Sequence, residues 1–565
     1  MPAYKFTPAT YGKFLIVIAG FGGLLYGIDI GVIAAALLYL SKTVDLTLAQ
    51  TSAIVAAVLG GSMVSSLIAG LLADWAGRRK IMIASGLMFL ASVALIVSSQ
   101  GFTTLLLGRL LQGMSGGVIA VVIPLYLAEC LGAHNRGRGT AVFQFMLTVG
   151  VVIASFTGLL YTRAAEAAIA TAAGNSILIR AAENHAWRGM FLTTIYPGII
   201  FFVGTLFLVE TPRWLFRKGR IAEASTSLHR LLSPAEAELQ MREMESLAHE
   251  HKQKTLTASN DSLLQRKYIV PFVLACIVLA CNQATGINSI LGFLVVILKQ
   301  AGMNSVHATQ GNFIVEIVHC LMTIVAILLV DRKGRRFLLR IGTGGLIVSL
   351  IGCAFLFHTF ETQRVNVQQA VQTEITGNSL HLPINTASLG PDIPGRSMAL
   401  TVLYSYGHGD KVATALNTDH DPTLTIAPDP TDAGAPLTIR RAFYGPVASE
   451  TTGWLITLCL GLFVSFFSLG PGVVVWLMLS ELMPTRIRST GMGIALFINQ
   501  GVSTSIAAVF LTVVGTYGYY AMFLFWTACT ILYFITATFF LPETKGRTLE
   551  EIEEYFEHPQ QKQLA

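Results

Sequence analysis

Apolar residues fall in long runs, each closed by a short polar turn, and this alternation continues along most of the chain. The runs Phe14–Leu40, Ala53–Leu72, Ile81–Val97, Leu105–Leu127, Ala141–Tyr161 and Met190–Val209 form a first set. Ile269–Ile297, Phe313–Val330, Leu338–Phe357, Trp454–Leu479, Gly491–Val514 and Tyr520–Leu541 form a second. Each is close to the ~20 residues that a helix needs to cross hydrocarbon. The pattern therefore predicts twelve spanning helices with both termini on one side. Turns holding Arg78-Arg79-Lys80, Arg136 and Arg138, Arg332 to Arg336, and Arg486 and Arg488 all fall on that side. Short loops on the other side are poor in Lys and Arg, which places the termini in the cytoplasm. The first run is too long for a cleavable leader.

The turn between the second and third runs reads Gly70-Leu-Leu-Ala-Asp74-Trp-Ala-Gly77-Arg78-Arg79, and it returns as Asp331-Arg332-Lys333-Gly334-Arg335-Arg336. Glycine permits the sharp turn, and the arginines stay in head-group water. Glu129 and Arg136 stand seven apart after one run, and Glu481 and Arg488 stand seven apart after another. Glu210-Thr211-Pro212 is echoed by Pro542-Glu543-Thr544. The chain thus reads as two related halves. The offsets are 257 (77 to 334), 352 (136 to 488) and 333 (210 to 543). Their rise and fall require a large insertion between Gly334 and Arg488 and a small one between Arg136 and Glu210.

Two polar stretches match those positions, Thr162–Ala186 and Thr359–Glu450. The larger holds eight of the 19 prolines and no cysteine. Its segments Met398-Ala-Leu-Thr-Val-Leu-Tyr404 and Pro436-Leu-Thr-Ile439 have strand character between turn residues. Composition leaves it open between a small β-rich lid and a partly disordered loop. A third polar stretch, Phe216–Gln265, is helix-forming with nearly balanced charge. The division that follows is a first six-helix bundle over 1–215 and a cytoplasmic helical linker over 216–265. A second bundle covers 266–545, interrupted by an extracytoplasmic insertion at 359–450, and a cytoplasmic tail covers 546–565.

Composition agrees with a bilayer as the solvent. Hydrophobic residues make up 53% and charged residues 12%, about half the charged share of a soluble domain. The net charge of +6 is spread over short loops and speaks for topology, not nucleic acid. All seven cysteines lie in or beside apolar runs, which argues against a disulfide framework. No segment offers a nucleophile–base pair, a phosphate loop or clustered metal ligands, so an enzyme, a cofactor and a metal are not expected. The stripe Gly23, Gly27 and Gly31 reads as a face for close helix packing.

A charge inside hydrocarbon costs at least a few kcal/mol and marks a functional position. Asp29 lies in Gly22-Gly-Leu-Leu-Tyr-Gly-Ile-Asp-Ile-Gly31 with apolar sequence on both sides. Arg109, in Gly108-Arg-Leu-Leu-Gln-Gly113, is its evident counter-charge. The pair reads as a protonation switch, as a fixed structural ion pair, or as an aspartate close enough to the outer surface to stay hydrated.

The arginine hairpins, Glu210-Thr-Pro-Arg-Trp214 and Pro542-Glu-Thr-Lys-Gly-Arg547 together resemble the sugar porters of the major facilitator superfamily. The resemblance runs from about Gly20 to Glu551 outside the two insertions. It implies an all-α membrane protein: twelve transmembrane helices in two six-helix bundles, with the linker and insertion added. It also implies a substrate site between the bundles and alternating access. In proton-coupled members the first-helix position is Asp, which makes Asp29 with Arg109 the expected proton-coupling pair. A sugar needs amides and hydroxyls backed by aromatic faces. By resemblance these are Gln144 on the fifth helix, Gln283 and Asn288 on the seventh, Trp476 on the tenth and Asn499 on the eleventh. His319 takes an eighth-helix position often held by asparagine. Glu316 lies three residues before it on the same face, a few residues inside the expected span and within reach of outer water.

By the same resemblance Asp74, Arg78, Arg79, Glu129, Arg136, Asp331, Arg335, Arg336, Glu481 and Arg488 form a cytoplasmic charge network that latches the halves in the outward-open state. Trp75 replaces the usual hairpin arginine, Gly292-Phe293 replace paired tyrosines near the outer gate, and Gln500 replaces a tryptophan. These departures imply a pocket unlike that of glucose-type relatives. The expected activity is import of a monosaccharide or polyol with a proton, by a monomeric carrier in the cell membrane. A facilitative uniporter and a transporter-fold nutrient sensor are the rival readings.

Overall fold

The computed structural model describes residues 8–131, 133–256, 265–384, 389, 397–417, 422–428, 435–483, 487–545, 551–552 and 555–556. Among them, 12 helical spans are long and apolar enough to cross a membrane. The first six are Thr10–Thr43, Leu48–Ala76, Arg78–Ser98, Phe102–Cys130, Val142–Thr171 and Ser176–Leu206. The second six are Tyr268–Gln300, Ser305–Val330, Arg335–Glu361, Glu450–Leu479, Gly491–Tyr517 and Tyr519–Phe540.

The halves are built by one packing rule. In the first half, span 1 packs on 5, 2 on 4, 3 on 4, and 3 on 6. In the second, span 7 packs on 11, 8 on 10, 9 on 10, and 9 on 12, which is the same set shifted by six. Spans 2 and 11, 5 and 8, and 1 and 7 join the halves. The glycine stripe serves the first of these pairings. A Cβ on Gly27 would lie 1.9 Å from the Leu147 carbonyl oxygen, so spans 1 and 5 touch backbone to backbone.

The halves do not touch along their whole length. Far from the termini, the Leu511 N–H donates to Ser52 Oγ at 3.1 Å, and a Cβ on Gly515 would meet Leu48 at 3.2 Å. Towards the end that carries the termini, Leu71, Leu72 and Trp75 of span 2 and Ile494 and Phe497 of span 11 are exposed. Spans 5 and 8 likewise meet through the Phe156 and Phe313 rings at 5.4 Å. They then part around a gap lined by Val142, Phe145, Ile324, Ile327 and Leu328. The molecule is closed at the end away from the termini and open at the other.

Several expected boundaries change. The stretch Thr162–Ala186 is not a polar loop: one helix runs over Ala133–Thr171 and the next starts at Ser176. Its alanines are strong helix formers, and Tyr39 Oη holds Glu166 at 2.9 Å. The eighth span begins at Ser305, not Phe313, because a polar first stretch with an Asn304 cap hides the helix from hydropathy. The sixth span is broken at Thr194. The seventh breaks between Arg266–Ala284 and Ile287–Gln300.

The insertion corrects the all-α expectation. Strands β1 (Val365–Asn366), β2 (Ile375–Thr376), β3 (Ser379–Pro383), β4 (Met398–Ser405), β5 (Asp410–Leu416), β6 (Thr423–Ile426) and β7 (Thr438–Pro446) form two antiparallel sheets. Their orders are β1-β7-β4-β5 and β2-β3-β6. Alternation within β4, and within β7 on either side of a bulge at Arg440, buries Leu400, Val402, Ile439 and Ala442 in one cluster with Leu380 and Leu382, so the unit has a core of its own. After the sixth span come the helices Pro212–Arg217, Ile221–Leu231 and Pro234–Leu256.

The break in the seventh span depends on Gly286, which has φ +84° and lies against the Trp526 indole. A Cβ there would sit 2.3 Å from that ring. Gly286→Ala should therefore cost about 2–5 kcal/mol through strain and overpacking, read as a fall in the detergent unfolding temperature. Gly344→Ala, where the nearest atom would lie at 3.7 Å, should leave that temperature nearly unchanged.

Candidate functional site

Span 1 places Asp29 and span 4 places Arg109 face to face, 0% and 1% exposed. Arg109 Nη1 donates to Asp29 Oδ1 at 3.2 Å and to Gln112 Oε1 at 2.7 Å. Its Cζ lies 5.5 Å from the Phe191 ring of span 6, a cation–π contact. Gln112 and Phe191 escaped the sequence reading. Gln112 stands three residues after Arg109 and so shares its helix face, a signal that was available. Phe191 comes from a distant span and carried none. Asp29 Oδ2 is buried with no hydrogen-bond donor among the described residues. Gly116 brings the span 4 backbone to that oxygen, since a Cβ there would stand 3.4 Å from Oδ2 and 2.9 Å from the Tyr26 ring.

In the second half, three of the expected amides meet. Gln283 Nε2 donates to Asn499 Oδ1 at 3.3 Å, and Asn288 Nδ2 donates to Gln283 Oε1 at 2.9 Å and Ser503 Oγ at 2.8 Å. Asn499 Nδ2 donates to the Leu279 carbonyl at 3.0 Å. Asn499 is fully buried while Asn288 is half-buried, so Asn499 stands behind the other two. The break at Gly286 lies between Gln283 and Asn288 and lets both reach the eleventh span. Gln144 and His319 lie on other elements, spans 5 and 8. Thr148, one turn beyond Gln144, contacts Cys320, the neighbour of His319, at 3.5 Å between Oγ1 and Sγ.

The charged turns repeat atom for atom. Arg78 Nη2 bonds Glu129 Oε1 at 3.0 Å, and Arg335 Nη2 bonds Glu481 Oε1 at 3.2 Å. Thr211 Oγ1 donates to Glu129 and Thr544 Oγ1 to Glu481, both at 2.6 Å. Glu210 accepts the N–H groups of Arg78 and Arg79 at 2.9 and 3.2 Å, and Glu543 those of Arg335 and Arg336 at 2.9 and 3.0 Å. Each carboxylate thus caps the positive end of a helix. Gly77 and Gly334, at φ +101° and +90°, leave room for it. Burial pushes the Glu210 carboxyl up from its ordinary value, and the backbone donors pull the other way. Asp74 takes Arg78 Nη2 at 2.7 Å and Arg217 Nη2 at 3.4 Å. The side chains of Arg136, Asp331 and Arg488 lie outside the described residues. Every described ion pair of these turns closes within its own half.

A family model described as "Sugar (and other) transporter" matches residues 15–374 and 435–556. The chain belongs to this sugar transporter family of the major facilitator superfamily. The unmatched residues 375–434 fall inside the β unit. Among curated relatives, the glucose transporter GlcP of Staphylococcus epidermidis is 27% identical over 96% of this chain and 96% of its own. The proton myo-inositol cotransporter hmit-1.1 of Caenorhabditis elegans is 27% identical over 98% of this chain and 92% of its own. Among solved structures, the inward-open xylose transporter XylE of E. coli superposes with TM-score 0.66 at 18% identity, covering 95% of this chain and 98% of its own. The relatives are transporters, and this sugar transporter is not an enzyme.

The fold of the sugar transporter also corrects one placement. Because span 8 begins at Ser305, Glu316 lies eleven residues into it (305 to 316), about 16 Å along the axis. It is 3% exposed, not an outer-surface group, and its Oε2 meets His319 Nδ1 at 3.1 Å. Trp476 follows a wide turn at Ser468–Gly472 that contains Pro471, and it is 40% exposed. The described contacts do not tie Trp476 to the amides. At the gate position, Phe293 stacks on Phe510 at 4.6 Å and Gly292 faces Val55 of span 2.

Asn499→Ala would remove the acceptor of Gln283 Nε2 and the side-chain donor to the Leu279 carbonyl. The expected loss is about 1–3 kcal/mol of stability, read as thermal unfolding in detergent. Gln144→Ala, whose side chain has no hydrogen bond among those described, should cost distinctly less.

Proposed function

We propose that this sugar transporter imports a monosaccharide or polyol together with a proton, by alternating access between the two bundles. The Asp29–Arg109 geometry carries this reading. A permanent ion pair in hydrocarbon is tolerable when both partners are fully bonded. Asp29 has one oxygen on Arg109 and one buried without a donor among the described residues, which suits a carboxyl that takes up and releases a proton. The names of relatives that carry glucose, or myo-inositol with a proton, fit that chemistry.

In this reading Gln283 and Asn288 hold substrate hydroxyls, with Asn499 fixing Gln283 from behind. Gln144 and His319 act from the facing spans, and Trp476 offers an aromatic face. Arginine-rich turns put the termini and the linker in the cytoplasm and the β unit outside. The opening towards the termini is then an inward-facing mouth of a cell-membrane protein that works as one chain. In this reading the charged turns latch the halves together in the outward-open state.

The deciding experiment is uptake into proteoliposomes with a panel of hexoses, pentoses and inositols, with and without an imposed proton gradient. Asp29→Asn should abolish accumulation against a gradient while sparing exchange of sugar for sugar. Uphill accumulation that survives in this variant would remove Asp29 from coupling, and uptake indifferent to the gradient in the unaltered chain would make it a uniporter.

Glu316 completes the site. A buried carboxylate 3.1 Å from Nδ1 accepts a hydrogen bond from the Nδ1–H tautomer of His319 and leaves Nε2 for the substrate. His319→Asn should retain gradient-driven uptake but change the ranking of the panel. Loss of coupling with an unchanged ranking would reverse the roles of Asp29 and His319.

A further inference from the structure

The β unit is fixed to one half and touches the other at the closed end of the molecule. Its two ends continue spans 9 and 10, which finish at Glu361 and begin at Glu450. At its base, Glu361 accepts the N–H groups of Tyr519 and Tyr520 at 3.0 and 3.1 Å. Arg441 of β7 donates to the Thr516 carbonyl in the last turn of span 11. All of these partners belong to the second half. The β4–β5 hairpin reaches to the first half instead. Lys411 Nζ meets Asp45 Oδ2 at 2.7 Å in the turn between spans 1 and 2. Gly409, at φ +127° in the same hairpin, lies against Thr47. Thr47 is the residue whose side chain caps span 2 through Gln50.

We infer that this hairpin is a clasp across the outer mouth, holding the halves together in the state seen here. The inference rests on the alternating-access reading above. For the mouth at this end to open, the start of span 2 must leave span 11, where Ser52 now holds Leu511. Asp45 and Thr47 travel with span 2, while Lys411 and Gly409 stay with the second half. The contact therefore exists in one of the two states only, and such a contact biases the equilibrium by its own free energy. Lys411 is mostly buried by its surroundings and Asp45 is half-exposed, with side chains 17% and 52% accessible. A pair of this exposure is worth roughly a three- to fivefold change in the ratio of the two states.

The test uses the full chain in proteoliposomes and a reporter at the closed contact. Val55 faces Gly292 across the halves, so Val55→Cys should react with a membrane-impermeant maleimide added from the β side only when that end opens. The rate is corrected for labelling of the parent chain. Lys411→Glu should raise it three- to fivefold, and the exchange Asp45→Lys with Lys411→Glu should restore it. Asp45→Asn, outside the β unit, gives the same reading if Lys411→Glu does not fold. An unchanged rate in the single variants, or a fast rate that the exchange does not slow, overturns the clasp. Labelling that never responds to any transported sugar in the panel would instead sink alternating access itself.

Discussion

A polar side chain inside hydrocarbon must find a partner, and this constraint arranges most of what lies between the spans. Water is scarce there to complete a hydrogen bond, so the charges and most of the amides of the candidate site are placed against one another. Arg109 divides itself between Asp29, Gln112 and the Phe191 face. Glu316 takes His319, and Gln283, Asn288 and Asn499 take one another. Asp29 Oδ2 escapes the rule among the described residues. Of the buried side-chain atoms left without a partner among the described residues, Asp29 Oδ2 is the one carboxylate oxygen, and the proposed reaction needs a group there that can change its charge.

The same constraint explains why the two halves share contacts although their spacing does not match. Arg78 and Arg335 are 257 apart, Glu129 and Glu481 352, and Glu210 and Glu543 333, yet each trio makes the same bonds. A buried or half-buried arginine needs its carboxylate, and a helix start needs its capping acid, whatever length of chain is inserted between them. Insertions are tolerated in the loops because ordering a longer loop costs little extra. The long β unit could enter between spans 9 and 10 without disturbing the turn it follows.

How much of this was legible depended on how far apart the cause and its signal lie. Spans, hairpins and the Asp29–Arg109 pair could be read, because a carboxylate in an apolar run announces itself locally. Gln283, Asn288 and Asn499 were named through the family motif, and the structure brings these three together. Other features depended on distant partners. Hydropathy placed Glu316 near the surface because Thr309, Gln310 and Asn312 dilute the first turns of span 8. The break at Gly286 needed the Trp526 ring, 240 positions on (286 to 526), to show why only glycine fits. The strands of the insertion were suggested by Met398–Tyr404, but their order came from pairings such as β1 with β7, which no local pattern encodes.

The division of chemistry between the halves gives the proposed coupling its physical form. The ionisable pair sits wholly in the first half, on spans 1 and 4, and the amide cluster wholly in the second, on spans 7 and 11. Neither cluster need be remade when the halves rock, since each is internal to a rigid group of helices. What must change is the seam, and there the contacts are mostly apolar or small: Phe156 on Phe313, Gly292 on Val55, Gly60 on Thr504. Such contacts slide at little cost, whereas the Ser52–Leu511 hydrogen bond at the closed end must break as the halves part. In the proposed function a proton on Asp29 and a sugar on Gln283 then act on one equilibrium without touching each other. Each alters how readily its own face of the seam closes.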